Sequence, residues 1–157
     1  MISQKEDRMR RYFEDFEVGE TWTSKTVTLS EADIIRFAGE YDPQPMHTDP
    51  EAAAKGRFGS LIASGWQLAA LSMRLFVEEG GYGETPMVGL GIDELRWRRP
   101  VKPGDQLTVA REVVETTRHE KRPEYGRIRT KVTMINQDGE TVMTYTSLGQ
   151  VPARNAG

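Results

Sequence analysis

The sequence predicts an α+β fold in which a curled antiparallel sheet wraps one central helix. Residues 61–79 are apolar on nearly every side of a helical wheel, and only Gln67, Ser72 and Arg74 form a narrow polar strip. Such a helix is normally buried, and Gly80 with Gly81 is a typical helix end. At roughly 25 Å it is shorter than a membrane span. The chain after it carries only strand patterns, so strands must cover the helix.

The strand predictions rest on alternating apolar and polar residues. Residues 21–29 are rich in Thr and Val and predict a first strand. Further strands are predicted at residues 87–97, 106–116, 126–135 and 141–151, and Gln137-Asp138-Gly139 is a hairpin turn between the last two. We expect the four later strands to form a meander, with each strand beside the next along the chain.

Shorter helices are predicted between the first strand and the central helix. Ser30 is a typical N-cap, and Asp33 is placed to complete a variant of the capping box. Residues 42–47 contain two prolines and predict a rigid segment that is not helical. Asp49 followed by Pro50 predicts the start of a short helix that runs to about Lys55.

Composition excludes several classes of protein. The 157 residues suit a single domain over residues 1–157, with an ordered core expected at about residues 11–152. A net charge of -3 argues against nucleic-acid binding, and the absence of cysteine excludes disulfides and thiolate chemistry. The charged N-terminal residues lack the apolar segment of a signal peptide. We therefore expect a cytoplasmic protein that does not insert into a membrane.

Asp42 and His47 are the strongest candidates for chemistry. They lie five residues apart on a segment that Pro43 and Pro45 stiffen. Acid–base catalysis requires both groups to be held within reach of one water or substrate proton. On spacing alone a structural interpretation stays open, because a proline-rich turn with an Asp cap and an exposed His has the same pattern.

The run Asp42-Pro43-Gln44-Pro45-Met46-His47 resembles the hydratase motif of MaoC-like dehydratases, the (R)-specific enoyl-CoA hydratases. That motif has Asn where this chain has Gln44. The run Leu61-Ile62-Ala63-Ser64-Gly65-Trp66 is similar to the family's helix entry, although many members carry His in place of Ser64. Arg99-Pro100-Val101 and Pro103-Gly104-Asp105 are similar to a later strand and turn of the family. The resemblance implies a hot-dog fold, in which a sheet wraps a long helix and protomers form homodimers or larger oligomers.

The resemblance also implies a reaction of fatty acid metabolism, the reversible syn hydration of a trans-2-enoyl-CoA to an (R)-3-hydroxyacyl-CoA. Asp42 and His47 would hold the water and transfer protons. The backbone N–H of Gly65, at the positive end of the central helix, would stabilise the thioester oxygen. Close helix–sheet packing is the alternative role for Gly65. The expected substrate contacts are Gln44, Arg57, Ser64, Trp66 and Arg99.

No cofactor is expected, because coenzyme A is carried by the substrate. No metal is expected either, although Asp42, His47 and Asp49 together could suggest one, because the chain has two histidines and no cysteine. His119 lies in a charged segment and is expected to be exposed. Two basic groups could meet the phosphates of CoA or remain solvated; they are Arg96, Arg98, Arg99 and Lys102, and Lys55 and Arg57.

Two other functions remain open on the same fold. One is a hot-dog acyl-CoA thioesterase, and the other is a non-catalytic subunit that binds acyl-CoA. The presence of both Asp42 and His47 argues against the non-catalytic subunit. Trp22, Trp66 and Trp97 are expected to be core or interface residues.

Overall fold

A six-stranded antiparallel sheet packs against one long helix. The structure is a computed structural model, and it describes residues 10–154. After a short 3-10 turn at Phe13–Asp15, the helices are α1 (Glu31–Tyr41), α2 (Pro45–Thr48), α3 (Pro50–Ala54) and α4 (Gly65–Glu78). The strands are β1 (Thr21–Thr23), β2 (Val27–Thr28), β3 (Val88–Trp97), β4 (Gln106–Arg118), β5 (Tyr125–Ile135) and β6 (Thr141–Pro152). The predicted α+β arrangement of a curled sheet and a central helix is confirmed.

The order of strands in the sheet differs from the predicted meander. Strands β4, β5 and β6 are neighbours as expected, but β3 pairs with β6 and lies at the far side of the sheet from β1. The chain therefore passes β6 and β5 between β3 and β4. The prediction was wrong here because alternation shows which face of a strand is buried and carries no information about its neighbour.

The predicted first strand is divided into β1 and β2, and each of them pairs with β4. The division falls at Ser24, whose N–H donates to the Val109 carbonyl at 2.8 Å. In return, the Val109 N–H donates to the Ser24 hydroxyl at 2.9 Å. A side-chain oxygen thus takes the place of a backbone carbonyl in the ladder, which interrupts the strand without leaving β4 unpaired.

Helix α4 begins at Gly65, four residues later than predicted, and Ser64 is its N-cap. Burial of the helix is one-sided in the protomer rather than complete. Leu68 and Leu75 are buried in the core, whereas Trp66, Met73 and Val77 are 57%, 48% and 61% exposed. The apolar pattern therefore covers a core face and a second face that no described residue of the same chain covers.

The predicted polar strip of α4 is in fact partly buried. Gln67 and Ser72 lie on the core side, and the Ser72 hydroxyl donates to the Ala69 carbonyl at 2.7 Å. Because that bond uses the single Ser72 proton, the Tyr145 hydroxyl, at 2.7 Å, donates to Ser72. The pair joins α4 to β6, so these two polar side chains belong to the core.

The ends of the described chain are bound to the body of the protein. Arg10 forms a bridge with Gly83, and the Ala153 N–H donates to the Glu124 carbonyl at 2.7 Å. These contacts lie just outside the expected ordered core of residues 11–152, and the rest of that prediction concerns residues 1–9 and 155–157, which lie outside the described residues. Within residues 10–154, none of the helices combines the length and the hydropathy needed to cross a bilayer.

We expect Ser72→Ala to lower the free energy of unfolding by about 1–3 kcal/mol, because it leaves the buried Tyr145 hydroxyl without an acceptor. Adding Tyr145→Phe should recover part of the loss, since it removes the orphaned hydroxyl. Urea unfolding at one protein concentration measures both, with Ser60→Ala as the control for a half-buried serine. Strictly additive losses in the double variant would show that the pair is not coupled.

Candidate active site

The Asp42–His47 segment joins the end of α1 to the short helix α2. Asp42 is the C-cap of α1, and Pro45 occupies the first turn of α2. The prediction that this segment excludes helix was wrong, because proline is well tolerated at the first helical position. The turn of helix brings the Nε2 of His47 to 3.3 Å from the Oδ2 of Asp42. The two predicted catalytic side chains therefore face each other.

The imidazole of His47 is held in one orientation. The ring is 5% exposed, and its Nδ1 lies 2.8 Å from the carbonyl oxygen of Ile62. A carbonyl only accepts hydrogen bonds, so Nδ1 carries the proton in the neutral ring, and Nε2 presents its lone pair to Asp42. Two facing acceptors suit the two hydrogens of one water molecule.

The carboxylate of Asp42 accepts two hydrogen bonds. Gln44 donates its side-chain N–H to Oδ1 at 2.7 Å, and the Ser64 hydroxyl donates to Oδ2 at 2.8 Å. The Gln44 bond is the largest cause of a lowered Asp42 pKa; burial opposes it, while the Ser64 bond and the nearby His47 add to it. Asp42 is therefore ionised at neutral pH. Gln44 braces the segment although it replaces the Asn of the motif.

Ser64 connects this pair to the start of α4. Its oxygen accepts the Trp66 N–H at 3.3 Å, and its hydroxyl proton points to Asp42. The side chain is fully buried and its hydroxyl contacts the Asp42 carboxylate, while the contact of Ser64 with substrate stays a prediction. The residue therefore acts on Asp42 from the protein side.

Gly65 follows as the first residue of α4. Its N–H has no acceptor among residues 10–154, as expected for the open end of a helix. A Cβ added at this position would overlap the indole ring of Trp97. The close approach of the ring agrees with the packing role considered for Gly65.

A cleft of about 570 Å³ brings the predicted site together. The residues that line it include Asp42, Gln44, His47, Arg57, Gly65, Trp66 and Arg99. Ser64 is the one predicted site residue that does not line it. Sequence reasoning missed Phe58 and assigned Trp97 no site role, because neither residue lies in a motif. Trp97 meets Trp66 edge to face at 5.1 Å and closes one side of the cleft.

Positive charge dominates the cleft. Arg57, Arg98 and Arg99 line it, and Asp42 is the only acidic residue among the described lining residues. Arg99 is paired with Glu140 at 2.8 Å, so its charge is partly compensated. Of the predicted basic groups, Lys55, Arg96 and Lys102 do not line the cleft.

Two other residues considered for chemistry have local structural roles. Asp49, considered as a metal ligand, caps α3 by accepting the N–H groups of Glu51 and Ala52. His119 was expected to be exposed but is half-buried. Its Nδ1 accepts two backbone N–H groups of its own loop, at 3.2 and 3.1 Å, which holds that loop closed.

Comparison with known proteins places the chain in a family. The model of the MaoC like domain matches residues 15–136, which is more than half of the chain. The chain therefore belongs to the MaoC-like dehydratase domain family and has its hot-dog fold.

The chain is similar to particular members over most of its length. It is 40% identical over 124 residues to the uncharacterized protein YdeM of Bacillus subtilis, covering 79% of this chain and 86% of YdeM. It is 34% identical over 148 residues to a 3-hydroxybutyryl-CoA dehydratase of Methylorubrum extorquens, covering 91% and 85%. The crystal structure of the MaoC-like dehydratase from Rhodospirillum rubrum aligns with a TM-score of 0.82 and 39% identity, covering 92% and 99%.

We expect Gln44→Leu to raise the pKa of Asp42 towards its ordinary value, because the variant removes the largest cause of the lowered pKa. Carboxyl NMR titration measures this, and Asp15 is an internal control because Arg154 lowers its pKa independently. A folded-state pKa below the unfolded value stabilises the protein above the unfolded pKa, and this contribution disappears as the pH falls through the folded pKa. Gln44→Leu should therefore reduce the Asp42 contribution to stability at neutral pH. An unchanged Asp42 pKa would contradict this account.

Proposed function

We propose that the protein is an acyl-CoA hydratase/dehydratase that acts in the cytoplasm in fatty acid metabolism. The reaction is the reversible syn hydration of a trans-2-enoyl-CoA to an (R)-3-hydroxyacyl-CoA. The observation that carries the proposal is the position of the Asp42–His47 pair. The two side chains face each other at 3.3 Å in a cleft that also contains the N-terminal end of α4. The similarity to a 3-hydroxybutyryl-CoA dehydratase supports the same reaction class.

In the hydration direction, Asp42 and His47 hold one water molecule. Asp42, which is ionised, takes a proton from the water as the water oxygen forms its bond to C3. The C2–C3 double bond opens, and the pair returns a proton to C2 on the same face. The Ile62 carbonyl keeps the proton of His47 on Nδ1, so Nε2 stays free to accept a hydrogen from the water. Dehydration uses the same steps in reverse.

The thioester oxygen gains negative charge while C3 is attacked. The open N–H of Gly65 is the donor proposed for this oxygen, and the positive end of the α4 dipole adds to its effect. The absence of a side chain at Gly65 lets both Trp97 and the thioester approach the backbone closely. The arginines of the cleft give it a positive charge that attracts the anionic CoA thioester.

We expect Asp42→Asn and His47→Ala each to lower the turnover of crotonyl-CoA by about 10²- to 10⁴-fold, which is the range of general acid–base catalysis. Loss of enoyl absorbance measures hydration, and circular dichroism shows whether each variant is folded. His119→Ala is the matched control, because it removes the other histidine of the chain outside the cleft. Near-normal hydration by either catalytic variant would refute the assignment.

The same assay separates the two other functions that this fold can carry. Release of free CoA, detected with a thiol reagent and without loss of the acyl chain's double bond, would indicate a thioesterase. The absence of turnover across a series of chain lengths, with acyl-CoA still bound, would indicate a binding subunit.

The acting form is proposed to be a homodimer or an assembly of dimers. Strand β3 is an edge strand that pairs on one side only, and Val88, Leu90 and Ile92 on it are 55%, 45% and 52% exposed. A long apolar edge is a template for pairing with another chain. The exposed apolar face of α4 is a second uncovered surface. A second copy aligned along β3 would extend the sheet.

We expect Ile92→Lys to convert the dimer into monomers, because it places a charge at the proposed β3 interface. Sedimentation equilibrium measures the mass. Val114→Lys is the control, since Val114 is a similarly exposed apolar residue on β4 rather than on the proposed edge. A wild-type protein that is monomeric would refute the dimer. An Ile92→Lys protein that remains dimeric would place the interface elsewhere.

A further inference from the structure

A second concave site lies beside the catalytic cleft, on the outer face of the sheet. The groove has a volume of about 310 Å³, and its lining includes Glu94, Arg96, Arg98, Lys131, Thr144 and Thr146. Tyr145 hydrogen-bonds to α4, so Thr144 and Thr146 on either side of it project from the opposite face of β6. The groove is therefore outside the core and faces away from α4.

Three neighbouring strands build this groove. Arg96 on β3 is paired with Thr144 on β6, and Thr146 on β6 is paired with Lys131 on β5. Neighbouring strands lie about 4.8 Å apart, so the groove is about 10 Å wide. A β-bulge between Asp93 and Arg96 breaks the alternation of β3 next to the groove, with Glu94 at φ 53°.

The cations of the groove form no ion pair with a described carboxylate, although Glu94 lines the same groove. Among residues 10–154, no carboxylate lies within ion-pair distance of Arg96, Arg98 or Lys131. Arg98 donates its Nε to the Thr144 hydroxyl at 3.0 Å, and Arg96 donates one Nη1 hydrogen to a backbone carbonyl. The remaining guanidinium and ammonium hydrogens are available. Uncompensated guanidinium and ammonium groups beside hydroxyl groups are the chemistry that receives phosphate.

Arg98 joins the groove to the catalytic cleft, because it lines both. It follows Trp97, whose ring packs against Gly65 on the inner face of the sheet. The end of β3 is therefore the place where a long ligand can pass from the Gly65 N–H to the outer face. Its negatively charged end would reach the groove beyond Arg98.

We propose that this groove binds the phosphate groups of the nucleotide part of CoA while the thioester lies at Gly65, and that it selects CoA thioesters over thioesters on a carrier protein. The inference rests on the proposed function. A width of about 10 Å suits a nucleotide better than the surface of a protein. Nothing in the sequence assigned Lys131 to phosphate binding, because it lies 33 and 35 positions after Arg98 and Arg96. Only the register of the sheet brings it beside them. A second copy along β3 would extend the sheet edge and leave this face open.

The test compares three thioesters of one acyl group, crotonyl-CoA, crotonyl-pantetheine and crotonyl-acyl carrier protein. Lys131→Glu and Arg96→Glu should each raise the KM for crotonyl-CoA by roughly ten-fold or more, because each removes a charge-assisted contact, and kcat should not change. Neither should alter kcat/KM for crotonyl-pantetheine, which lacks the nucleotide. Lys121→Glu, an equal charge change in the β4–β5 loop, is the control and should alter neither value.

Direct binding makes the test independent of catalysis. Adenosine 3′,5′-bisphosphate should bind the wild-type protein in calorimetry and should bind Lys131→Glu at least about ten-fold more weakly. Equal effects of the variant on crotonyl-CoA and crotonyl-pantetheine, or equal binding of the bisphosphate, would overturn the groove assignment. If the variants lost activity only with the carrier-protein thioester, the groove would bind the carrier protein and not CoA. Failure of the wild-type enzyme to hydrate any thioester, with the bisphosphate still bound as expected, would overturn the proposed function alone.

Discussion

The Ser64 hydroxyl joins the start of α4 to the carboxylate of Asp42, and the geometry of the cleft depends on this contact. One oxygen accepts the Trp66 N–H as a helix cap and donates its own proton to Asp42. The start of the helix and the carboxylate of Asp42 are therefore held in one fixed relation. Gly65, the proposed oxyanion donor, is the next residue, so this donor and the Asp42 carboxylate are positioned by the same element.

The electrostatics of the site follow from the same contacts. Donors on both oxygens lower the pKa of Asp42, so the carboxylate stays charged although no lysine is among the described residues that line the cleft. His47 is oriented by a backbone carbonyl and contributes an open lone pair. Around this pair the cleft is positive, and the positive surface continues past Arg98 to the outer face of the sheet. The charge distribution matches a ligand that is neutral where it reacts and anionic at its far end.

Local patterns predicted the elements well. Alternation identified the buried face of β4 and β5, where Leu107, Val109 and Val132 are fully buried, because one face of a strand must meet the core. Caps identified the starts of α1 and α3, because open N–H groups require acceptors close in sequence. The place of β3 beside β6, the break at Ser24 and the burial of Ser72 were not predictable in this way. Each depends on a partner distant in the chain.

The candidate site was likewise predictable where its features are local in the chain and not where they depend on distant residues. The sequence by itself pointed to the acid and the imidazole five residues apart and to the glycine near the start of α4, because these features are local in the chain. Only the tertiary structure decided that Ser64 bonds Asp42, that Trp97 lies over Gly65 and that Lys131 joins Arg96 and Arg98. These contacts form between elements that the fold brings together, and their geometry comes from strand register and helix packing, which no local pattern encodes.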